Sequence, residues 1–173
     1  MKHLKLISIS IFLIMLSSFL SANEVYFVDM QKLLNQSKAA KQAQDVLKKD
    51  FVNENNKLEK EGRKLKDEEK ELISAKQSLS KEEYQKKIKE LREKNITFQK
   101  KRRTKTNEFV KKKNDARNKL LNALNPILTK YMAENKVKLI VDKKYVVMGE
   151  KEIDLTDKIL KILDSELKSI NLK

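Results

Sequence analysis

The stretch KKRRTKTNEFVKKKNDARNK, Lys100 to Lys119, holds ten Lys or Arg in twenty residues, opposed only by Glu108 and Asp115. The chemistry open to such a run is the binding of anions. Laid on a helix it spans about 30 Å, and cations at that density can neutralise a row of phosphates. The candidate binding residues are Lys100, Lys101, Arg102, Arg103, Lys105, Lys111, Lys112, Lys113 and Arg117, with Phe109 the one aromatic among them. Binders of single strands stack bases on several aromatics, and Phe109 is a poor supply. The plainest alternative is a solvated helix face.

Catalytic chemistry has few residues to draw on. The chain has one His, His3, and no Cys, so the usual general base near pH 7 and the usual thiol nucleophile are scarce. Zinc sites draw on the same two residue types. Gly62 and Gly149 are the only glycines, which leaves no Gly-rich phosphate loop. A carboxylate pair suffices for glycoside hydrolysis, but nearly every Asp and Glu here lies in a charged helical run. We expect no enzyme, no metal and no cofactor.

The start of the chain bears on the partner. MKHLK carries two Lys, a fifteen-residue apolar run LISISIFLIMLSSFL follows, and SAN closes the segment. That order reads as a secretory signal, residues 1–22, cleaved after Ala22. The run is short for a membrane span, which needs roughly 20 apolar residues; an uncleaved anchor helix is the alternative. Cleavage removes Lys2, His3 and Lys5 and no acid, so the exported chain stays strongly basic. Export also argues against a physiological nucleic-acid partner.

These cations must be positioned by elements of unusual composition: 38% charged, 6% aromatic, net charge +15. Charge so dense points to long solvated helices or to disorder, and the apolar spacing selects helices. From Lys38 the apolar positions are Leu47, Phe51, Leu58, Leu65, Leu72 and Leu79; the last four repeat every seven residues, a coiled-coil seam. Ser37 can cap this helix. The pattern falters over 74–80. Ser80 with Glu83 is a capping box, so a second helix starts near Lys81. On it Phe98, Phe109, Leu120 and Tyr131 step by eleven, which keeps them on one face. Gly62 is a tolerable weakness in the first helix. Asn125–Pro126 reads as a kink or restart. Two long helices with a short connection are antiparallel neighbours; the arm is residues 38–125.

The ends read as strands and a terminal helix. Val25–Val28 is a short β-type run. VKLIVD and KYVVM are two more, joined at Lys143 as a tight hairpin. IDLTDKIL opens an amphipathic helix that Asp154 or Thr156 can cap. Three short strands make a tiny sheet with open edges, and narrow arm stripes bury too little to hold a rigid monomer. A homo-oligomer that completes the sheet is the expectation. The fold class is α+β, mainly α.

In order, VYFVDMQKLLNQS, a long basic helical pair, VKLIVD…YVVM and IDLTDKIL resemble the Skp/OmpH-type periplasmic chaperones. The resemblance covers essentially the whole exported chain; its most specific part is IDLTD with the following helix, paired with VDM near the start. It implies a homotrimer with an intersubunit β-body, three projecting helical hairpins around a cavity, no nucleotide or metal requirement, and unfolded outer-membrane β-barrel proteins as clients; the match puts residues 23–37 and 126–173 in that body, centred on Val25, Tyr26, Phe27, Val28, Val137, Leu139, Ile140, Val141, Tyr145, Val146 and Val147. A cationic cavity would steer anionic chains, and anionic lipid or lipopolysaccharide is a partner left open. Each contact is weak, and many arms hold by avidity; scattered Phe, Leu and Tyr add apolar footholds. The rival readings are an exported structural or adaptor coiled coil and a basic nucleic-acid binder.

Overall fold

The computed structural model describes residues 25–172; the signal reading of residues 1–22 lies outside them. Two compact units follow from the contacts: residues 25–33 with 123–166, and residues 34–122 with 167–172.

The first unit is built on a two-stranded parallel sheet. β1 (Val25–Val28) pairs with β2 (Leu139–Asp142), Val25 opposite Leu139 and Val28 opposite Asp142. Parallel strands need a long crossover between them, and here the sequence between β1 and β2 contains both long helices. Asp29 ends β1 and caps α1 (Met30–Gln36), its Oδ1 accepting from Lys32 N at 2.7 Å. The other edge of β1 is covered by residues just before α4 (Thr156–Glu166): Phe27 bridges Asp154, and Leu155 N donates to Phe27 O at 2.9 Å. Val28, Leu33, Leu124, Ile127, Tyr131, Leu155, Ile159 and Leu163 are buried. Of the two residues able to cap α4, Asp154 accepts from Thr156 N at 3.0 Å. The Thr156 hydroxyl instead donates to Asp154 Oδ1 and accepts from Asp29 N at 2.8 Å. Thr156 is itself buried, and its hydroxyl has both roles filled, as a buried hydroxyl requires.

Two expectations are corrected here. No hairpin forms at Lys143. Lys143–Tyr145 is a single 3₁₀ turn capped by Asp142, and Val146 follows it in extended conformation without a strand partner. Tyr145, Val146 and Val147 are thus not a third strand, and Val137 also falls outside β2. β-propensity expresses itself only where a partner edge is present; the far edge of β1 is already taken by Asp154–Leu155. The second helix also does not end at Asn125. α3 (Lys81–Glu134) continues through Pro126. A mid-helix proline costs about 3 kcal/mol, but Leu124, Ile127 and Tyr131 are buried around it, and their burial at about 1.5–3 kcal/mol each offsets the loss. α3 ends instead at Glu134, and the chain turns off at Lys136, a non-glycine residue with φ 55°, where Val137 N returns to Met132 O, a Schellman-type termination.

The second unit is a helical hairpin. α2 (Lys38–Ser74) starts behind Ser37, buried, whose Oγ accepts from Ala40 N at 3.3 Å. After a 3₁₀ turn at Ala75–Gln77, Ser80 and Glu83 form the reciprocal box: Glu83 N to Ser80 Oγ at 3.2 Å, Ser80 N to Glu83 Oε2 at 3.1 Å. The Ser80 hydroxyl also donates to Glu83 Oε2 at 2.8 Å, and this bond, with the one from Ser80 N, holds the Glu83 carboxyl below its usual range. Four cross-helix ion pairs give the register: Lys94–Glu68, Lys101–Glu61, Lys105–Glu54 and Lys112–Asp50. From Lys94 to Lys101 to Lys112, each step forward on α3 is matched by an equal step back on α2, as antiparallel helices require. Leu47, Leu65, Phe98, Ala116 and Leu120 are buried between the charged faces, and the eleven-residue series on α3 is the covered face. Leu79, the last of the heptad leucines, lies past the end of α2.

Candidate functional site

The ten sequence candidates lie on α3, and the structure sorts them into different surroundings. Lys101, Lys105 and Lys112 belong to the hairpin's own ladder. Lys101 reaches Glu61 at 2.5 Å and Lys112 reaches Asp50 at 3.4 Å. Lys105 lies 2.9 Å from Glu108 and 3.9 Å from Glu54. The Glu108 hydrogen bond and charge hold the Lys105 ammonium above its usual range. Arg102 lies over the Phe98 ring at 5.9 Å. These groups are spoken for by neighbours within the arm, and exposed pairs of this kind contribute roughly 0–1 kcal/mol each.

Lys100, Arg103, Lys111, Lys113 and Arg117 differ. All five are exposed, and among the described residues none of them makes an ion pair. Two exposed apolar residues share their face. Ile96, Arg103, Val110 and Arg117 follow one another at seven-residue spacing, which keeps them on one line of the helix. Ile96 is 63% and Val110 50% exposed. The outward line of α3 thus alternates apolar and cationic side chains. Sequence reasoning missed Ile96 and Val110, although the heptad spacing through Arg103 and Arg117 was there to find them.

A second feature is a groove of about 320 Å³ beside the ring pair Phe51–Phe109, whose centroids are 4.7 Å apart at 43°. Phe51 comes from α2 and remains 42% exposed. The rims carry opposed charges, Asp50, Glu54 and Glu108 against Lys57, Lys105 and Lys112. A hydrogen bond from Lys57, with the charges of Lys57, Lys105 and Lys101, outweighs the opposing effect of desolvation and holds the Glu54 carboxyl below its usual range. The groove offers a small aromatic foothold in a field of balanced charge. Phe109, a candidate from the sequence, is half-buried here and supplies one of its walls.

The first unit presents a different surface. Val25 and Leu139, opposite each other in the sheet register, are both about half exposed; Tyr145, Val147 and Met148 are more so. These five are the exposed large apolar side chains of this unit among the described residues. Its polar cluster of Asp29, Lys32, Lys143, Asp154, Thr156 and Asp157 is joined by hydrogen bonds and ion pairs that tie α4 to the β1–α1 corner.

Comparison with known proteins was made against this geometry. A family model described as outer membrane protein (OmpH-like) matches residues 24–163. A crystal structure of an OmpH-like outer membrane chaperone candidate from Caulobacter crescentus is similar over 87% of this chain and 89% of that one, with a TM-score of 0.81 at 20% identity. No curated protein matches the sequence.

Proposed function

Since this chain belongs to the OmpH-like outer membrane protein family, we propose that it is an ATP-independent periplasmic holdase chaperone. It captures unfolded outer-membrane β-barrel proteins on its helical arms and keeps them from aggregating in transit. It acts without cofactor and without catalysis, exported by cleavage of residues 1–22.

The observation that carries this reading is the outward line Ile96–Arg103–Val110–Arg117 on α3. An unfolded barrel strand alternates apolar and polar side chains. A surface that alternates apolar and cationic groups can meet such a chain at many points and in many registers. Each contact is weak, so the client stays exchangeable, and its folding into the membrane withdraws the surface that the arms held. Several arms acting together supply avidity. The homotrimer implied by the resemblance would bring the arms together around a basic cavity, and the exposed Val25, Leu139, Tyr145, Val147 and Met148 are the surface we assign to the contact between copies. Anionic lipid or lipopolysaccharide could meet the same free cations.

The test is light scattering of a urea-diluted outer-membrane β-barrel protein with and without the purified, processed chain. Suppression of scattering is expected, weaker at high salt. Undiminished aggregation at molar excess of the chain would remove the holdase reading and leave an adaptor coiled coil. Cell fractionation checks export, and analytical ultracentrifugation checks assembly: a single-copy species would remove the trimer.

A further inference from the structure

The segment after α4 has no regular secondary structure, yet it is not loose. Residues 167–172 pack with the hairpin, and Asn171 and Leu172 reach α3. Lys119 Nζ donates to the main-chain carbonyl of Asn171. Leu172 forms one wall of a groove of about 470 Å³, whose other walls include Lys111, Lys112, Asp115, Asn118 and Lys119. Leu167, Ile170 and Leu172 are half-buried, while Lys168, Ser169 and Asn171 are exposed.

We infer that this tail is an in-cis placeholder in a client groove: residues 167–172 occupy, and an unfolded client displaces them from, the 108–122 face of α3. The inference rests on the holdase reading. Its ground is the chemistry of the present occupant. Ile170 and Leu172 are half-buried with an exposed Asn171 between them, the period-two alternation of an extended strand. Transmembrane barrel strands carry the same alternation. The named contact from Lys119 goes to a backbone carbonyl, which every peptide unit carries, so the groove does not need a particular client sequence. Lys111 and Lys112 can line it with their aliphatic stems while their ammonium groups stay in water. The tail covers one wall and leaves volume beside it, so an incoming segment has a place to start. A tethered competitor of this kind lowers the apparent affinity by the fraction of time that the groove is free, which keeps client exchange fast.

The experiment compares three chains, each processed at the signal: wild type, a chain ending at Glu166, and Ile170→Ser/Leu172→Ser, which keeps the tail's length. The first probe is a labelled synthetic peptide, LKSINLK, the second a urea-diluted outer-membrane β-barrel protein. The peptide should bind the shortened chain measurably and the wild type several-fold more weakly. Both variants should hold the barrel protein about three- to tenfold more tightly than wild type, as release of a mostly occupied groove predicts. Equal peptide binding by the shortened and wild-type chains, or none by either, overturns the proposal. So does barrel-protein affinity that is unchanged or lower in both variants, while wild type still captures it; in that case the holdase reading survives. If no chain captures the barrel protein at all, the holdase reading fails and the placeholder falls with it.

Discussion

The ring of Phe98 lies against the backbone at Gly62: a Cβ built at position 62 would stand 3.1 Å from Phe98 Cζ. This contact fixes how closely α2 and α3 pack at the middle of the hairpin. It also explains why a helix of 37 residues retains a glycine that costs it about 1 kcal/mol in propensity. Phe98 is buried, so its ring has little room to withdraw.

Gly62→Ala should therefore leave hairpin stability within about 1 kcal/mol of wild type, because the propensity gain and the tight contact oppose each other. Gly62→Leu should cost roughly 1–3 kcal/mol. In a Phe98→Ala background, Gly62→Ala should stabilise by about 1 kcal/mol, since only the propensity term remains. Urea unfolding followed by circular dichroism measures all three; a Gly62→Leu chain as stable as wild type would contradict the packing.

Thr156 joins two chain segments 127 residues apart through its hydroxyl, which accepts from Asp29 N and donates to Asp154. Thr156→Val keeps the shape but leaves the part-buried Asp29 amide without its acceptor. The expected loss is about 1–3 kcal/mol. Thr156→Ser should recover most of it. Thermal unfolding of the two variants tests this, and a Val variant equal to wild type would show that the hydroxyl is not structural.

Asp154 gives the first unit a pH dependence. Partial burial pushes its carboxyl up, but hydrogen bonds from Lys143 and Thr156, with the Lys143 charge, outweigh burial and hold it below 3.8. Because the folded value is depressed, the ionised group's stabilisation is present above about 3.8. It is lost as the pH falls through that value and then through the folded one. Asp157, held down by Lys32, has the same sign. Stability should decline on acidification below about pH 4–5. Asp154→Asn should be less stable than wild type at pH 7, with the difference shrinking as the pH falls. A difference independent of pH would remove Asp154 from this role.

The sorting of the basic residues separates arm stability from capture. Lys101→Gln and Lys112→Gln remove ladder pairs and should each lower hairpin stability by less than about 1 kcal/mol, with little effect on client binding. Arg103→Gln with Lys113→Gln and Arg117→Gln should leave stability within about 0.5 kcal/mol. The same triple change should weaken capture and flatten its salt dependence. Equal loss of capture from both sets, measured by fluorescence anisotropy with a labelled unfolded barrel protein, would mean that net charge and not the outward face governs binding.

Much of the hairpin was legible because its signals are local. Ser80 and Glu83 sit three residues apart and form the box that starts α3. The eleven-residue spacing picked out Phe98, Leu120 and Tyr131, all buried. The ten cations were visible only as a mass. Which of them meet Asp50, Glu54 or Glu61 depends on cross-helix register, and every face of these helices carries Lys, so composition alone could not divide them. Pro126 misled because its cost is local while the burial that offsets it is tertiary. Tyr145–Val147 misled for the converse reason: a β-type run becomes a strand only against an open edge, and here Asp154 and Leu155 already cover β1.

The sequence by itself determined two long basic helices, their caps and turn, and a mainly helical chain with short β-type segments at its ends. These follow from periodicity, capping and charge density, interactions that reach across a few residues. Only the tertiary structure decided that β1 and β2 pair in parallel, that five of the nine candidate cations make no ion pair among the described residues while others are bound within the arm, and that residues 167–172 pack with the hairpin. Each of those outcomes compares partners far apart in the chain, where packing and register, not local preference, carry the difference in free energy.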